Sequence, residues 1–389
     1  MKTLIFLCTV LAFVYSQQDG LRLKMRFPSA KVISKATKMS NWRTGKGAGK
    51  ITPVFNPQVI FNMGTPQQTF LGCGMDVSSG DTWIVDINAA QPDPAPWLFD
   101  PSKSHSFKNT SYYYATDVLD VDGLAARLVG TIAQDVFHVQ NKKFTMNFAM
   151  IESVTPWGDF AEIPDVFATG RCGFDFYSTD YMDQFFPKLL AAANSSQQSV
   201  TMVIHDCMLD QDAEEVLQEM TIGFIDTTYC NTSTTVNLPL VDKNNWNFAI
   251  TGYQIGNISS TARTIAKMDT NDLLTGVPQN VYDYIYKLTN ATQTPDNAWP
   301  MVSCDQPFPR LNFTVPGDSF SVQSHYYVFK DFTDLDNPCY LMLYPLNGGG
   351  FLPSWSFGFV WMYKKCVTFD RGNMAIQFTD YNSDFCQDI

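Results

Sequence analysis

The sequence predicts an all-β protein of two similar lobes with a few short helices. A length of 389 residues is too great for one ordinary core and suits two cores of similar size. Hydrophobic residues make up 45% of the chain and charged residues 16%, as expected of a globular protein rather than a disordered one. Phe and Tyr are abundant, and short extended segments alternate with Gly, Pro and Asn, which is typical of strands joined by turns.

The first sixteen residues have the pattern of a secretory signal peptide. Lys2 precedes an apolar run that ends at Ser16, before the polar Gln17. We therefore predict that residues 1–16 are removed. The alternative, a membrane anchor, is less favoured because the run is short for a bilayer span. The mature chain is expected to be secreted, or alternatively to lie in the lysosome or another endomembrane lumen, with no membrane partner.

Residues 17–50 form a basic segment in front of an acidic body. The segment carries nine Lys or Arg and one acid, a net charge of +8, whereas residues 51–389 carry −21. Opposite charges allow the segment to dock on the body as a propeptide does. A solvated, flexible tail is the alternative. The acidic body argues against nucleic acid as a partner.

The cysteines of the mature chain favour disulfides. Eight remain after removal of Cys8, and an even number in a secreted chain is typical of paired thiols. Four His and no CxxC pair argue against a zinc site, and no cofactor is implied. N-x-S/T sequons predict N-glycosylation. They lie at Asn109, Asn194, Asn231, Asn257, Asn290 and Asn312.

The segments of the chain repeat one plan twice. Residues 51–70 read as a β-hairpin, and residues 182–193 and 279–288 have helical periodicity. Each half then runs from extended segments into a loop that contains an Asp. We predict lobes at residues 51–225 and 226–389, with the crossover near 222–235.

Asp76 and Asp269, one in each half, are the candidate catalytic residues. Two Asp side chains held about 3 Å apart cannot both ionise, so they share one proton. One then acts as a base toward water and the other as an acid toward a carbonyl. For a single Asp in a turn, turn formation alone is the common explanation.

The surroundings of these two residues carry a family resemblance. Asp76 stands in MDVSSGDTWIVD after VIFNMGTPQQTF, and Asp269 stands in MDTNDLLTGVP. Together with FDPSKSHSF, GTIAQDVFHV, IGFIDTTYC and the C-terminal WSFGFVWMYKKCVTFDRGNMAIQF, in this order and spacing, these segments resemble the pepsin family of aspartic peptidases.

The resemblance implies a bilobal acid protease fold, with a cleft between two similar β lobes that binds a peptide or protein, and a monomer. It also implies Asp76 and Asp269 as the catalytic pair. A disulfide between Cys304 and Cys339 is carried over from the family, and Cys230 with Cys366 is a possible further pair. The pairing of four other cysteines stays open: Cys73, Cys172, Cys207 and Cys386.

Both Asp loops depart from the family's Asp-Thr-Gly pattern. Val77 replaces a Thr whose hydroxyl bonds across the lobes, and Ser78 and Asn271 replace glycines. Thr270 is kept, and Ser79 is expected to hydrogen-bond Asp76, so these two residues are predicted to support the pair.

Further departures affect the parts around the two loops. Asp272 is expected to add a third negative charge near the pair. Residues 115–130, where the family has the Tyr of a mobile flap, contain no Tyr. Residues 165–173 are a poor match to the apolar strand that supports the first loop.

Two functions from different classes remain. The favoured one is a peptide-binding or protein-binding protein of this fold with weak or absent peptidase activity, because several supports of the pair are missing. The alternative is a working aspartic endopeptidase that is active at acidic pH, because both Asp are present. A purely structural secreted glycoprotein is less favoured, since a cleft comes with the fold.

Overall fold

The computed structural model describes most of the chain, and the description below is limited to the described residues. They are 20–28, 57–89, 98–119, 125–156, 170–203, 215–272, 274–293, 299–330, 338–346, 353–362 and 365–382.

The strands are short and numerous, as the composition predicts. In chain order they are β1 (Leu21–Pro28), β2 (Gln58–Met63), β3 (Gln68–Asp76), β4 (Trp83–Val85), β5 (Lys108–Leu119), β6 (Ala125–Val139), β7 (Lys142–Pro156), β8 (Gly170–Gly173), β9 (Ser199–Val203), β10 (Glu215–Ile222), β11 (Cys230–Pro239), β12 (Asn247–Ile250), β13 (Gly252–Ile255), β14 (Ile258–Ser260), β15 (Thr264–Asp269), β16 (Thr275–Pro278), β17 (Met301–Val302), β18 (Leu311–Val315), β19 (Asp318–Val322), β20 (Val328–Lys330), β21 (Cys339–Leu341), β22 (Leu343–Leu346), β23 (Trp355–Gly358), β24 (Lys365–Asp370) and β25 (Ala375–Tyr381).

Two α-helices lie in the described ranges, α1 (Phe185–Ala193) and α2 (Gln279–Leu288). Both were predicted, although α1 begins three residues later than the predicted segment. Phe185 and Leu189 of α1 are fully buried, as their spacing indicates. Leu288, at the end of α2, is exposed. Short 3-10 turns lie at Pro101–Lys103, Ser324–Tyr326 and Phe359–Met362.

Four sheets organise the described strands. The largest has the order β11-β25-β24-β9-β10-β1-β2-β3-β8-β4-β7-β6-β5. The others have the orders β12-β15-β23-β16-β22, β14-β13-β18-β19 and β17-β21-β20. The C-terminal strands β24 and β25 thus join the large sheet beside β9, which ties the end of the chain to its first half. The predicted all-β, bilobal fold is confirmed.

The two halves meet along an apolar seam. The indole Nε1 of Trp246, in the second half, donates to the carbonyl oxygen of Phe174, in the first half, at 2.9 Å. The Trp246 ring packs 4.7 Å from that of Phe176 and 5.2 Å from that of Phe369. Ring centroids at these separations indicate close packing, so side chains of both halves fill one continuous core.

Part of the basic N-terminal segment lies inside the large sheet. All eight residues of β1 pair antiparallel with β10, from Leu21 opposite Ile222 to Pro28 opposite Glu215. On the other side, Met25 pairs with Val59 of β2. Apolar and basic residues alternate along β1, and Leu21, Leu23 and Met25 are buried. For residues 21–28 the structure therefore has the docked arrangement, and residues 29–56 lie outside the described ranges.

Arg22 holds the start of β1 at the surface of the sheet. Its guanidinium donates to Glu219 at 2.5 Å and to Asp226, and lies over the rings of Phe224 and Tyr229. Burial lowers the pKa of Arg22, but the two carboxylates outweigh it, and the pKa is raised.

Three disulfides join described cysteines. Cys304 is bonded to Cys339, and Cys230 is bonded to Cys366. The third bond joins Cys73 to Cys172 across a sequence separation of 99 residues, and so settles two of the cysteines that the sequence leaves open. Cys207 and Cys386 lie outside the described ranges.

No helix in the described ranges is long and apolar enough to cross a membrane.

Candidate active site

Asp76 and Asp269 occupy equivalent places in the two halves. Asp76 ends β3, which runs parallel to β8, and faces Gly173. Asp269 ends β15, which runs parallel to β23, and faces Gly358. Each carboxylate therefore stands at the end of one strand of a parallel pair. This repeated geometry is the structural counterpart of the twofold plan in the sequence.

The glycine opposite Asp76 is required by a close approach of the backbone. A Cβ on Gly173 would lie 2.2 Å from the carbonyl carbon of Gly80, and real Cβ atoms do not come so close. The loop that follows Asp76 therefore packs directly on β8. Residues 170–173, which form β8, therefore support the first loop, although residues 165–173 match the family pattern poorly.

Asp76 is bound by groups of its own half. It is 3% exposed, and its Oδ1 accepts from the backbone N–H of Ser78 at 2.8 Å and from the Ser78 hydroxyl at 2.7 Å. Its Oδ2 lies 3.5 Å from Nη1 of Arg171, which belongs to β8. The Arg171 guanidinium also lies over the Trp83 ring, 5.9 Å from its centroid. A cation thus stands next to the first carboxylate.

A second cation, Lys267, lies beside Asp269 at a shorter distance than that between Arg171 and Asp76. Asp269 is 6% exposed, and its Oδ1 accepts from the N–H of Asn271 at 3.1 Å. The ammonium of Lys267 donates to Oδ2 at 2.5 Å. Burial lowers the pKa of Lys267, but the charge of Asp269 and the hydrogen bond to it outweigh this effect, and the pKa is raised. Lys267 therefore carries a positive charge at acidic and neutral pH.

Thr270 joins the two loops. Its hydroxyl donates to the carbonyl oxygen of Met75 at 2.5 Å and accepts from the N–H of Val77 at 3.2 Å. Val77 is the residue that corresponds to Thr270 in the first loop, and its side chain is 1% exposed and apolar. It has no hydroxyl to make the reciprocal bonds. The network across the lobes is therefore one-sided, as the sequence predicts.

A polar contact between the two loops replaces part of what is missing. The side-chain nitrogen of Asn271 donates to the hydroxyl of Ser78 at 3.2 Å. These are the two residues that stand where the family has glycine. Neither adopts a positive φ, so no left-handed geometry has to be tolerated at either position.

The predicted role of Ser79 is corrected. The hydroxyl that reaches Asp76 belongs to Ser78, whereas the Ser79 hydroxyl accepts from the N–H of Asp81 at 3.1 Å. The turn after Asp76 directs consecutive side chains to different sides, and that direction is not contained in the spacing of the motif.

Asp272 lies in a buried setting that the sequence does not indicate. Its side chain is buried, with 1% of the residue exposed, and its Oδ1 accepts from the N–H of Leu274 at 2.8 Å. Its Oδ2 has no hydrogen-bond partner within the described residues. Burial, followed by the charge of Asp269, raises the pKa of Asp272 well above its usual range. The raised pKa opposes ionisation of Asp272, so burial weakens the expectation that this residue adds a third negative charge.

Another acid near the first loop has a raised pKa. Asp175 is 8% exposed, follows β8, and accepts from the N–H of Phe176 at 2.9 Å. Burial, with the charges of Asp76 and Asp242, raises its pKa to about 7, although the Phe176 N–H and Arg371 act in the opposite direction.

The hairpin of β5 and β6 stands in the place of the family's flap. Tyr114 pairs with Gly130, is 3% exposed, and its hydroxyl donates to Oδ2 of Asp81 at 3.1 Å. Tyr112 and Tyr113 are exposed on the same strand. The residues between the two strands, 120–124, lie outside the described ranges. Tyr114 is thus a buried anchor at the base of the hairpin rather than a residue of its tip.

Two residues of this site were missed from the sequence, Lys267 and Arg171. For Lys267 a signal was present, because residues two apart on a strand point to the same face, and Lys267 precedes Asp269 by two. For Arg171 the contact depends on the parallel pairing of β3 with β8, which spacing alone does not indicate.

This geometry belongs to a known class, and the chain is a member of the eukaryotic aspartyl protease family. The family model described as eukaryotic aspartyl protease matches residues 59–381. Among curated proteins, the chain is similar to aspartic protease 17 of Caenorhabditis elegans, with 27% identity over 348 residues, which cover 84% of this chain and 83% of that protein. It is also similar to aspartic protease 6 of the same organism, with 25% identity over 81% of this chain and 79% of that protein.

Proposed function

We propose that this chain is a secreted protein of the pepsin fold that binds a peptide or protein segment in the cleft between its lobes and has weak or absent peptidase activity. The observation that carries the proposal is the ion pair of Lys267 with Asp269, at 2.5 Å.

Peptide hydrolysis by two aspartates needs a proton shared between them. One carboxylate takes a proton from water while the other, protonated, polarises the carbonyl. Here both oxygens of Asp269 already accept hydrogen bonds, from Lys267 and from Asn271. The ammonium of Lys267 therefore occupies the Oδ2 of Asp269, an oxygen that a proton shared with Asp76 would need. On the other side of the pair, Nη1 of Arg171 lies 3.5 Å from Oδ2 of Asp76.

Two further features support the proposal. The missing hydroxyl of Val77 leaves the first loop with half of the bonds across the lobes, and the loss of rigid positioning is costly because a misplacement of about 1 Å can lower a rate roughly a hundredfold. The hydroxyl of Tyr114 donates its hydrogen bond to Asp81. The parts that align the carboxylates and cover the substrate in this family are therefore altered together.

A working aspartic endopeptidase is the second candidate. It is favoured by the position of both Asp at the ends of parallel strand pairs and by the two bonds of Thr270. The similarity to proteins named aspartic proteases also favours it. In this case the ion pairs of Lys267 with Asp269 and of Arg171 with Asp76 would open when substrate binds. The two carboxylates would then share a proton only in the complex.

Hydrolysis of an unstructured protein between about pH 3 and pH 6 separates the two candidates. The proposal expects no cleavage above that of the Asp76→Asn variant, together with saturable binding of unstructured peptides by fluorescence anisotropy. Statine-type analogues, whose hydroxyl needs both carboxylates at once, should bind weakly. Robust acidic cleavage that Asp76→Asn abolishes would make the chain an ordinary aspartic endopeptidase.

The secretory route is part of the proposal. It is supported by the signal pattern of residues 1–16, by the even number of cysteines in the mature chain, and by the disulfides between described residues. Residues 17–50 are proposed as a propeptide, of which β1 is the described part, with lobes at 51–225 and 226–389. The N-terminal sequence of the exported protein tests the first cleavage.

A further inference from the structure

The sheet of β13, β14, β18 and β19 has two contrasting faces. On the inner face, Tyr253 and Phe313 are buried in the core of the second half. On the outer face, side chains of four neighbouring strands form one row. Ser259 pairs with Gln254, Gln254 pairs with Asn312, and Asn312 pairs with Ser321.

The outer face forms an uncharged concavity of about 470 Å³, lined by hydroxyl and amide side chains together with Tyr253, Phe313 and Phe320. No Lys, Arg, Asp or Glu is among the residues that line it. Its volume falls within the range of roughly 300–1,000 Å³ that is typical of small-ligand sites. Hydroxyl and amide groups both donate and accept hydrogen bonds, and such a surface complements a neutral ligand that is rich in hydroxyl groups. A sugar has this chemistry.

The sequence supplies a sugar attachment site within the row itself. Asn312 is the acceptor of the sequon Asn312-Phe313-Thr314, and Thr314 shares its face because the two are two residues apart on a strand. Asn312 is half-buried and Thr314 is exposed. The Ser321 hydroxyl donates to Oδ1 of Asn312 at 2.7 Å, which orients the amide whose nitrogen carries an N-linked glycan.

We infer that Asn312 carries an N-linked glycan whose first sugars lie in this concavity. Gln254, Ser259 and Ser321 are the side chains that would contact them. The inference rests on the proposed secretion of the chain, since N-glycosylation requires entry into the secretory route. The sequon at Asn257 provides an internal control, because Asn257 is exposed at the turn between β13 and β14, beside the same sheet.

The test uses the full chain secreted from eukaryotic cells, with mass spectrometry of intact glycopeptides. We expect Asn312 to be occupied. In the native protein, peptide N-glycosidase should release the Asn312 glycan at least tenfold more slowly than the Asn257 glycan, and after denaturation both should be released at similar rates. Asn312→Gln should lower Tm more than Asn257→Gln.

A second variant separates contact with the sheet from simple attachment. The double variant Gln254→Ala with Ser321→Ala keeps the sequon, so Asn312 should still be occupied while its glycan becomes as sensitive to the enzyme as that of Asn257. An unmodified Asn312, or equal release rates at Asn312 and Asn257 in the native wild-type protein, would overturn the inference. If the exported chain has no glycan at Asn312, the inference fails, whereas the proposed secretion and the peptidase assay are unaffected.

Discussion

The ammonium of Lys267 and the carboxylate of Asp269 lie two residues apart on β15, on the same face, with Nζ 2.5 Å from Oδ2. Asp269 is 6% exposed and its carboxylate is largely removed from water, whereas 33% of the Lys267 side chain is exposed. A charge in such a position is tolerated because its partner is present. Lys267 thus links the stability of the protein to the surroundings of its second aspartate.

Replacement of Lys267 by Met is expected to destabilise the protein at pH 7 on the order of 3 kcal/mol, because it leaves a buried carboxylate without its cation. The loss should shrink at pH 4, where a proton can neutralise an unpaired carboxylate. Lys365→Met is the matched control, since Lys365 also pairs with an Asp, but Asp380 is half exposed, and about 0–1 kcal/mol is expected. Urea unfolding of both variants at the two pH values measures the difference. Equal losses in the two variants would show that the pair of Lys267 with Asp269 contributes no more to the free energy of unfolding than an exposed ion pair.

Restoration of the two loops alone should not restore activity. The triple variant Val77→Thr, Ser78→Gly and Asn271→Gly recovers the family pattern, but the ammonium of Lys267 remains on Asp269. Acidic cleavage of an unstructured protein is expected to stay near background in this variant and to rise at least tenfold when Lys267→Met is added.

The alternative outcomes of that series are informative. Activity in the triple variant by itself would identify loop geometry, and not the ion pair, as the cause of a weak active site. No activity after addition of Lys267→Met would direct attention to Arg171 beside Asp76 or to the hairpin of β5 and β6.

Protein stability should decrease as the pH rises toward neutrality. The pKa of Asp175 is raised in the folded protein from 3.8 to about 7, so the folded state binds a proton that the unfolded chain has lost between these values. Its contribution is complete below about pH 4 and is lost as the pH rises through about 7, with at most about 4 kcal/mol involved. Asp272 acts in the same direction, because its pKa is also raised.

Asp175→Asn tests this dependence, because an amide oxygen can still accept the hydrogen bond from Phe176. The variant should lose less stability than the wild type between pH 4 and pH 8, as measured by Tm. Asp283→Asn, at an exposed position of α2, should follow the wild-type curve. A wild-type Tm that rises toward pH 8 would contradict the assignment.

The disulfide between Cys73 and Cys172 should contribute more to stability than that between Cys304 and Cys339. The first closes a sequence separation of 99 residues and the second one of 35, and loop entropy predicts a difference of about 1 kcal/mol. Double Cys→Ser variants of each pair, unfolded in urea, measure it. Because the first bond joins β3 to β8, its loss should also weaken peptide binding near Asp76, whereas loss of the second should not.

The positions of Asp76 and Asp269 at the ends of strands were predictable, because hairpin and turn signals precede both loops. The absence of a hydroxyl at Val77 was predictable too, since it follows from residue type alone. The contacts of Arg171 were not, because they arise from a strand that lies about a hundred residues away in sequence. The burial of Asp272 was not predictable either, because it depends on the packing of the whole second half.

The basic segment offers a contrasting lesson. The prediction of docking rests on its net charge. The alternation of Leu21, Leu23 and Met25 with basic residues is equally visible in the sequence and is typical of a half-buried strand. The charge suggested electrostatic docking, whereas the structure has docking by backbone pairing with apolar burial, to which Arg22 adds an ion pair at the surface.

The place of β1 between β10 and β2 determines what happens if the chain is cut beyond residue 28. The strand pairs with β10 along all eight residues and with β2 at Met25 and Arg26, so a nick would not by itself let it diffuse away. The slowest deuterium exchange within β1 is expected around Met25 and Arg26, because opening the strand there requires two ladders to separate together. Residues 20–28 would then behave as a non-covalent subunit, retained after processing and lost only when the large sheet opens.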